Sequence, residues 1–321
     1  TAGSLADEIG VDVYLANAAT TFGIGSNHDL KISGNVTSGG ATVTKNGAGT
    51  LIFSGTNTYA ASTTITAGTL QLGDGSSSGS LNPASPVSIT GGTFAINQDD
   101  TVTQGTDFSG AAITGSGTFA VKGGAMVVLT NSATFNDLLG VSVASDSFLN
   151  LNFTGTDIIA SLDLGAGPVA AGEYGRIGSG AQFTSDRITG DGRLYVPGSR
   201  TWDGSTDMTW SSPDATSWSG STYTDSDNAI FGDTGAGAVT ISGTVAPGSV
   251  SVNSSAAYTF SGGAIGGSTG LVKAGGGTTT LSDANTYTGV TNVNAGTLAI
   301  KNNNALGSTA GNTVVANSAQ L

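Results

Sequence analysis

Few side chains in this sequence could do chemistry. It has one histidine, His28, and no cysteine, which excludes thiol catalysis and cysteine–zinc sites. His28 stands in Asn27-His-Asp29 between a turn and a strand, and a lone histidine without a placed partner reads as a surface residue. Asp225, Asp227, Asn228 and Asp233 could offer oxygen ligands to calcium, the one cofactor the sequence leaves open. Their spacing fits neither an EF-hand nor a nonapeptide calcium repeat, and turns favour Asp and Asn in any case. Asp99-Asp100 reads as a turn in the same way. Trp202, Trp210 and Trp218 could stack on sugar rings or seal the start of a module. Sealing is the preferred reading, because aromatic rings bury the most apolar surface per residue. Arg176, Arg187 and Arg193 could clamp an acidic sugar, but Glu173, Asp186 and Asp191 lie close by as surface ion-pair partners. No carboxylate pair stands out as a glycosidase pair. The expectation is a protein that is not an enzyme.

The elements that must carry these residues are set by an internal copy. Residues 45–72 return as residues 273–300 without a gap, at an offset of 273 − 45 = 228. Lys45, Gly47, Gly49, Asn57, Tyr59, Gly68 and Leu70 recur as Lys273, Gly275, Gly277, Asn285, Tyr287, Gly296 and Leu298. Within the copy, Leu51 and Phe53 fall on one face, as do Leu70 and Leu72, and such period-two alternation reads as half-buried strands. Glycines separate the strands, where turns call for positive φ. Asn57 and Asn285 are read as a repeated local turn. The two tyrosines are read as stacked between laps, and the two lysines as solvent-facing corners. Leu51 becomes Thr279 in the second copy, so one inward position turns polar there.

Lys-x-Gly-x-Gly-Thr, then Asn-Thr-Tyr, then Ala-Gly-Thr-Leu resembles the autotransporter-associated β-strand repeat of bacterial surface proteins. The resemblance covers about 60 of the 321 residues. It implies a right-handed parallel β-helix displayed outside the cell, whose repeats form shafts and carry no catalytic residues.

Composition agrees with that picture. Glycine contributes 52 of 321 residues and charged residues only 10%, while 37% are apolar, so disorder is not expected. The net charge of −13 argues against nucleic acid and anionic membrane surfaces as partners. No apolar run is long enough for a transmembrane helix, so no membrane insertion of this segment is expected.

Along the chain, residues 5–10 could form a helical turn. The residues before Lys122 look like a third lead-in to the repeat, one residue longer, followed by a degraded copy. Turn signals recur about every ten residues, which suits short strands. Sandwich and barrel remain alternatives on spacing alone; the tandem copy favours a solenoid, in which each unit needs its neighbours to bury its face. The expected fold is therefore all-β, an elongated right-handed parallel β-helix (β-solenoid). It is divided into a module over 1–199 with the copy at 45–72 and a second over 200–321. The second opens with a Trp-rich stretch at 202–231 and holds the copy at 273–300. The expected function is a structural segment of an extracellular fibre or surface adhesin stalk. Its expected partners are copies of itself end to end, since no polar cap is evident, and extracellular glycan or other cell-surface material. A glycan-binding module gripping sugar through residues 202–231 is the alternative, and a polysaccharide-active enzyme a more distant one.

Overall fold

The computed structural model describes residues 7–76, 78–220 and 222–321, and among them there is no helix of any kind. The chain forms two compact units, Thr1–Val196 and Pro197–Leu321.

In the first unit, eight strands lie side by side and parallel: Asp7–Ile9, Asp29–Ile32, Thr50–Phe53, Thr69–Leu72, Thr93–Asn97, Thr118–Lys122, Gly140–Val143 and Ser161–Asp163. Neighbours in this sheet are one lap apart in sequence. A second parallel sheet runs through Ala19–Gly23, Thr42–Asn46, Thr63–Ile65, Val87–Ile89 and Thr114–Gly115. A third joins Thr101–Thr103, Met126–Leu129, Phe148–Leu151 and Ile188–Gly190. The chain thus visits the sheets in turn and returns one strand further along each time, which is a β-solenoid. Residues 7–9 are extended, so the helical turn expected over 5–10 is corrected; Leu5 and Ala6 lie outside the described residues.

The core follows from register. Leu51, Leu70, Phe94, Phe119, Val141 and Leu162 pair in succession, all buried. Phe53, Leu72, Ile96, Val121 and Val143 make a second inward ladder two residues on. A single lap has no partner for these side chains; the stack supplies one on each side. Toward residue 196 the winding changes, and Gly172–Arg176 pairs antiparallel with Arg193–Val196.

The second unit repeats the plan. One sheet runs Ser199–Trp202, Asn228–Phe231, Ser249–Asn253, Leu271–Ala274, Thr291–Val293 and Thr313–Val315, all parallel. Trp218–Ser219 lies antiparallel on its first strand. The other sheet runs Thr209–Trp210, Ala238–Ile241, Tyr258–Ser261, Thr278–Leu281, Gly296–Ile300 and Ala319–Gln320. Thr279 is buried between Tyr258 and Leu298, at the place Leu51 takes in the first copy.

The third lead-in is not a structural copy. Lys122 ends a strand of the eight-stranded sheet, whereas Lys45 belongs to the five-stranded one. Phe119 and Val121 point inward there and Lys122 takes the other side. Register places Gly115, through Ile65 and Ile89, at the position Lys45 takes in its sheet.

Candidate functional site

The residues that recur converge on one polar arrangement inside each unit. In Thr42–Asn46, Val43 and Lys45 are two residues apart and share a side, and both are fully buried. Lys45 pairs with Phe22 on one lap and Ile65 on the next, so its side chain starts in an apolar ladder. Its Nζ donates to the carbonyls of Asn46 (2.9 Å), Gly47 (2.7 Å) and Ala67 (3.1 Å). Lys273 lies between Val252 and Val293 and donates to Ala274 (2.7 Å), Gly275 (2.8 Å) and Ala295 (3.1 Å). These lysines were expected at solvent-facing corners; instead they are bolts. Two acceptors belong to the lysine's own corner and the third to the following lap. Burial pushes both ammonium groups below the ordinary lysine pKa.

The glycines fit this ammonium. Gly68 and Gly296 have φ of 64° and 67°, a region that L side chains rarely adopt. A Cβ on Gly68 would stand 2.4 Å from the Gly47 and Gly49 carbonyl oxygens and 2.8 Å from Lys45 Nζ. On Gly296 it would stand 2.5 Å from the oxygens of Gly275 and Gly277 and 2.8 Å from Lys273 Nζ.

Asn57 does more than form a local turn. Its Oδ1 accepts from Val36 N of the preceding lap (3.0 Å), and its Nδ2 donates to Gly55 O (3.0 Å) and to Ser80 O of the following lap (2.8 Å). Asn285 accepts from Ile265 N and donates to Ala305 O, both at 2.7 Å. Each is a bracket across three laps. Tyr59 and Tyr287 are buried and bond the hydroxyls of Thr63 (3.0 Å) and Thr291 (2.7 Å). The expected stacking is corrected for Tyr59: its ring meets Phe53 edge-on, 6.4 Å between centroids. Leu70 and Leu298 are core residues.

The other candidates are also engaged. Trp202, Trp210 and Trp218 are buried together with Tyr223 and Phe231, with ring centroids 4.7–5.7 Å apart, so the indoles do not form a sugar platform. The calcium candidates are not brought together. Asp225 Oδ1 accepts from Ala246 N (2.9 Å), and Asp233 Oδ1 takes Ser254 Oγ, Ser255 N and Ser255 Oγ. Asp227 is fully buried and accepts from Gly198 N (2.6 Å), Thr224 N (3.1 Å) and Arg200 Nε (3.0 Å). Among the described residues no three His, Asp or Glu side chains form a group that could hold a metal. Arg176 pairs with Asp191 at 2.9 Å, Arg193 with Glu173 at 2.7 Å and, more loosely, Arg187 with Asp186 at 3.7 Å. His28 is exposed. Sequence reasoning missed Asp157, a buried carboxyl; the signal was there in Gly155-Thr-Asp157, which matches Gly55-Thr-Asn57.

The passenger-associated-transport-repeat family matches residues 43–72 and 271–300, the two segments that hold the lysine, asparagine and tyrosine. A stretch of 100 residues is 34% identical to the "Adhesin BmaC autotransporter" of Brucella suis biovar 1 (strain 1330). That stretch is 30% of this chain and 3% of that protein. No solved structure matches the chain. The molecule is a β-solenoid that carries two copies of the passenger-associated-transport-repeat.

Proposed function

We propose that the chain is a structural segment of a cell-surface or extracellular adhesin, a spacer that works by stiffness and not by catalysis. One observation carries this reading. The residues that define the repeat turn inward and tie lap to lap, so the repeat is spent on the stack itself. The 34% identity to part of an autotransporter adhesin supports the location outside the cell.

The test removes one whole lap, residues 63–86, from the native protein; Thr63 and Val87 are register partners, so the cut rejoins equivalent points. A spacer tolerates the loss: antibody against the chain still labels intact producing cells, and those cells adhere to the same surfaces as before. Lost adhesion with undiminished surface labelling overturns the reading, because the segment itself would then be gripping the ligand.

A further inference from the structure

Asn46-Gly47 is the one Asn-Gly pair in the 321 residues. It stands at the corner that Lys45 bolts, and the second copy has Ala274-Gly275 in its place. Asn46 is exposed, at the end of the strand Thr42–Asn46. Gly47 follows with φ of 74° and has no side chain to shield its nitrogen. That nitrogen donates to Asn46 Oδ1 at 2.7 Å, so the side-chain amide is folded back against it.

Such a pair can react with itself. The Gly47 nitrogen is placed to attack Asn46 Cγ, but only after it gives up its proton. A peptide nitrogen parts with that proton only as far as the charge left behind is stabilised. Here the charge passes to Asn46 O, because Asn46 C=O and Gly47 N are one conjugated peptide group. Two donors already aim at this oxygen: Ile24 N of the preceding lap at 3.0 Å and Lys45 Nζ at 2.9 Å. The second carries a full positive charge on a buried side chain. The same ammonium takes Gly47 O at 2.7 Å and so fixes the glycine beside the amide. Donors fixed beforehand at an atom where negative charge develops lower the barrier to the step that creates it. The stack thus supplies what a free Asn-Gly peptide must take from water.

We propose that Asn46 is a self-modification site, at which the folded corner promotes loss of the side-chain amide. Hydroxide takes the proton from Gly47 N, and the electron pair left there forms a bond to Asn46 Cγ. The Cγ–Nδ2 bond breaks, and Nδ2 leaves as ammonia with a proton from water, which restores the hydroxide. Water then opens the cyclic imide at either carbonyl, giving aspartate or its β-linked isomer. Nothing is oxidised or reduced. The β-linked product lengthens the backbone by a methylene just after Lys45 and draws Gly47 O away from the ammonium. The experiment holds the full chain at one mildly alkaline pH, folded in one sample and unfolded in guanidinium in the other. Each is digested in acid and read by mass spectrometry. Asn46 should exchange its amide for a carboxyl faster in the folded chain, on the order of tenfold. Ala274→Asn builds the same pair beside Lys273, whose Nζ donates to Ala274 O at 2.7 Å, and should bring the reaction to the second unit. The comparison within the unmodified chain needs no variant to fold. An Asn46 that reacts no faster folded than unfolded overturns the proposal. So does an Ala274→Asn chain that keeps native tryptophan fluorescence and reacts at position 274 no faster than when unfolded.

Discussion

Lys45 and Lys273 each hold an ammonium in the dry interior, where desolvation costs several kcal/mol unless hydrogen bonds replace water. Three carbonyls around each Nζ make that replacement. Lys45→Met keeps the stem and removes the donor, leaving buried acceptors without it. The expected loss is about 2–4 kcal/mol in urea unfolding. Gly68→Ala attacks the same corner from the backbone: positive φ and contacts at 2.4 Å leave no relaxed position for a methyl group. It should cost at least about 2 kcal/mol, read as a lowered midpoint in thermal circular dichroism. The lysines' position was partly legible in the sequence, since Lys45 is two residues from Val43 and Lys273 two from Leu271. The usual preference of charge for water pointed the other way. What the sequence could not supply was the cluster of carbonyls, because Ala67 and Ala295 come from another lap.

At the scale of the strand, parity decides what faces the core. Val43 and Lys45 face in because they share a parity, and Lys122 does not because it alternates with the inward Phe119 and Val121 of a different sheet. Inserting one alanine between Val43 and Thr44 should therefore turn Lys45 outward. Amide exchange should show lost protection through Thr42–Asn46 and the paired Thr63–Ile65, while the second unit keeps its own. Strand positions such as Thr50–Phe53 and Thr69–Leu72 were readable from alternation alone. The role of Asn57 was not. Asparagine suits a turn in any chain, and only the stack brings Val36 and Ser80 within reach of its amide.

At the scale of the molecule, each unit closes its own hydrophobic cluster. All three tryptophans lie in the second cluster, so indole fluorescence reports on that unit while circular dichroism reports on both. Lys273→Met should lower the fluorescence midpoint in urea. Lys45→Met should leave it in place and lower a dichroism component instead. Coincident shifts of both probes in both variants would mean that the units unfold as one. The solenoid was legible because the copy at 273–300 is long and ungapped; the antiparallel turn at Gly172–Arg176 was not, since nothing repeats there to reveal it.

The inward lysines also bear on how the molecule meets proteases. Trypsin-like enzymes must seat a lysine or arginine side chain in a specificity pocket, and only nine such residues exist in 321. Two of them, Lys45 and Lys273, are sheathed by the chain's own carbonyl oxygens. Digestion of the native protein should spare the bonds after these two, and amine-reactive dyes should mark Lys301 on the surface long before either.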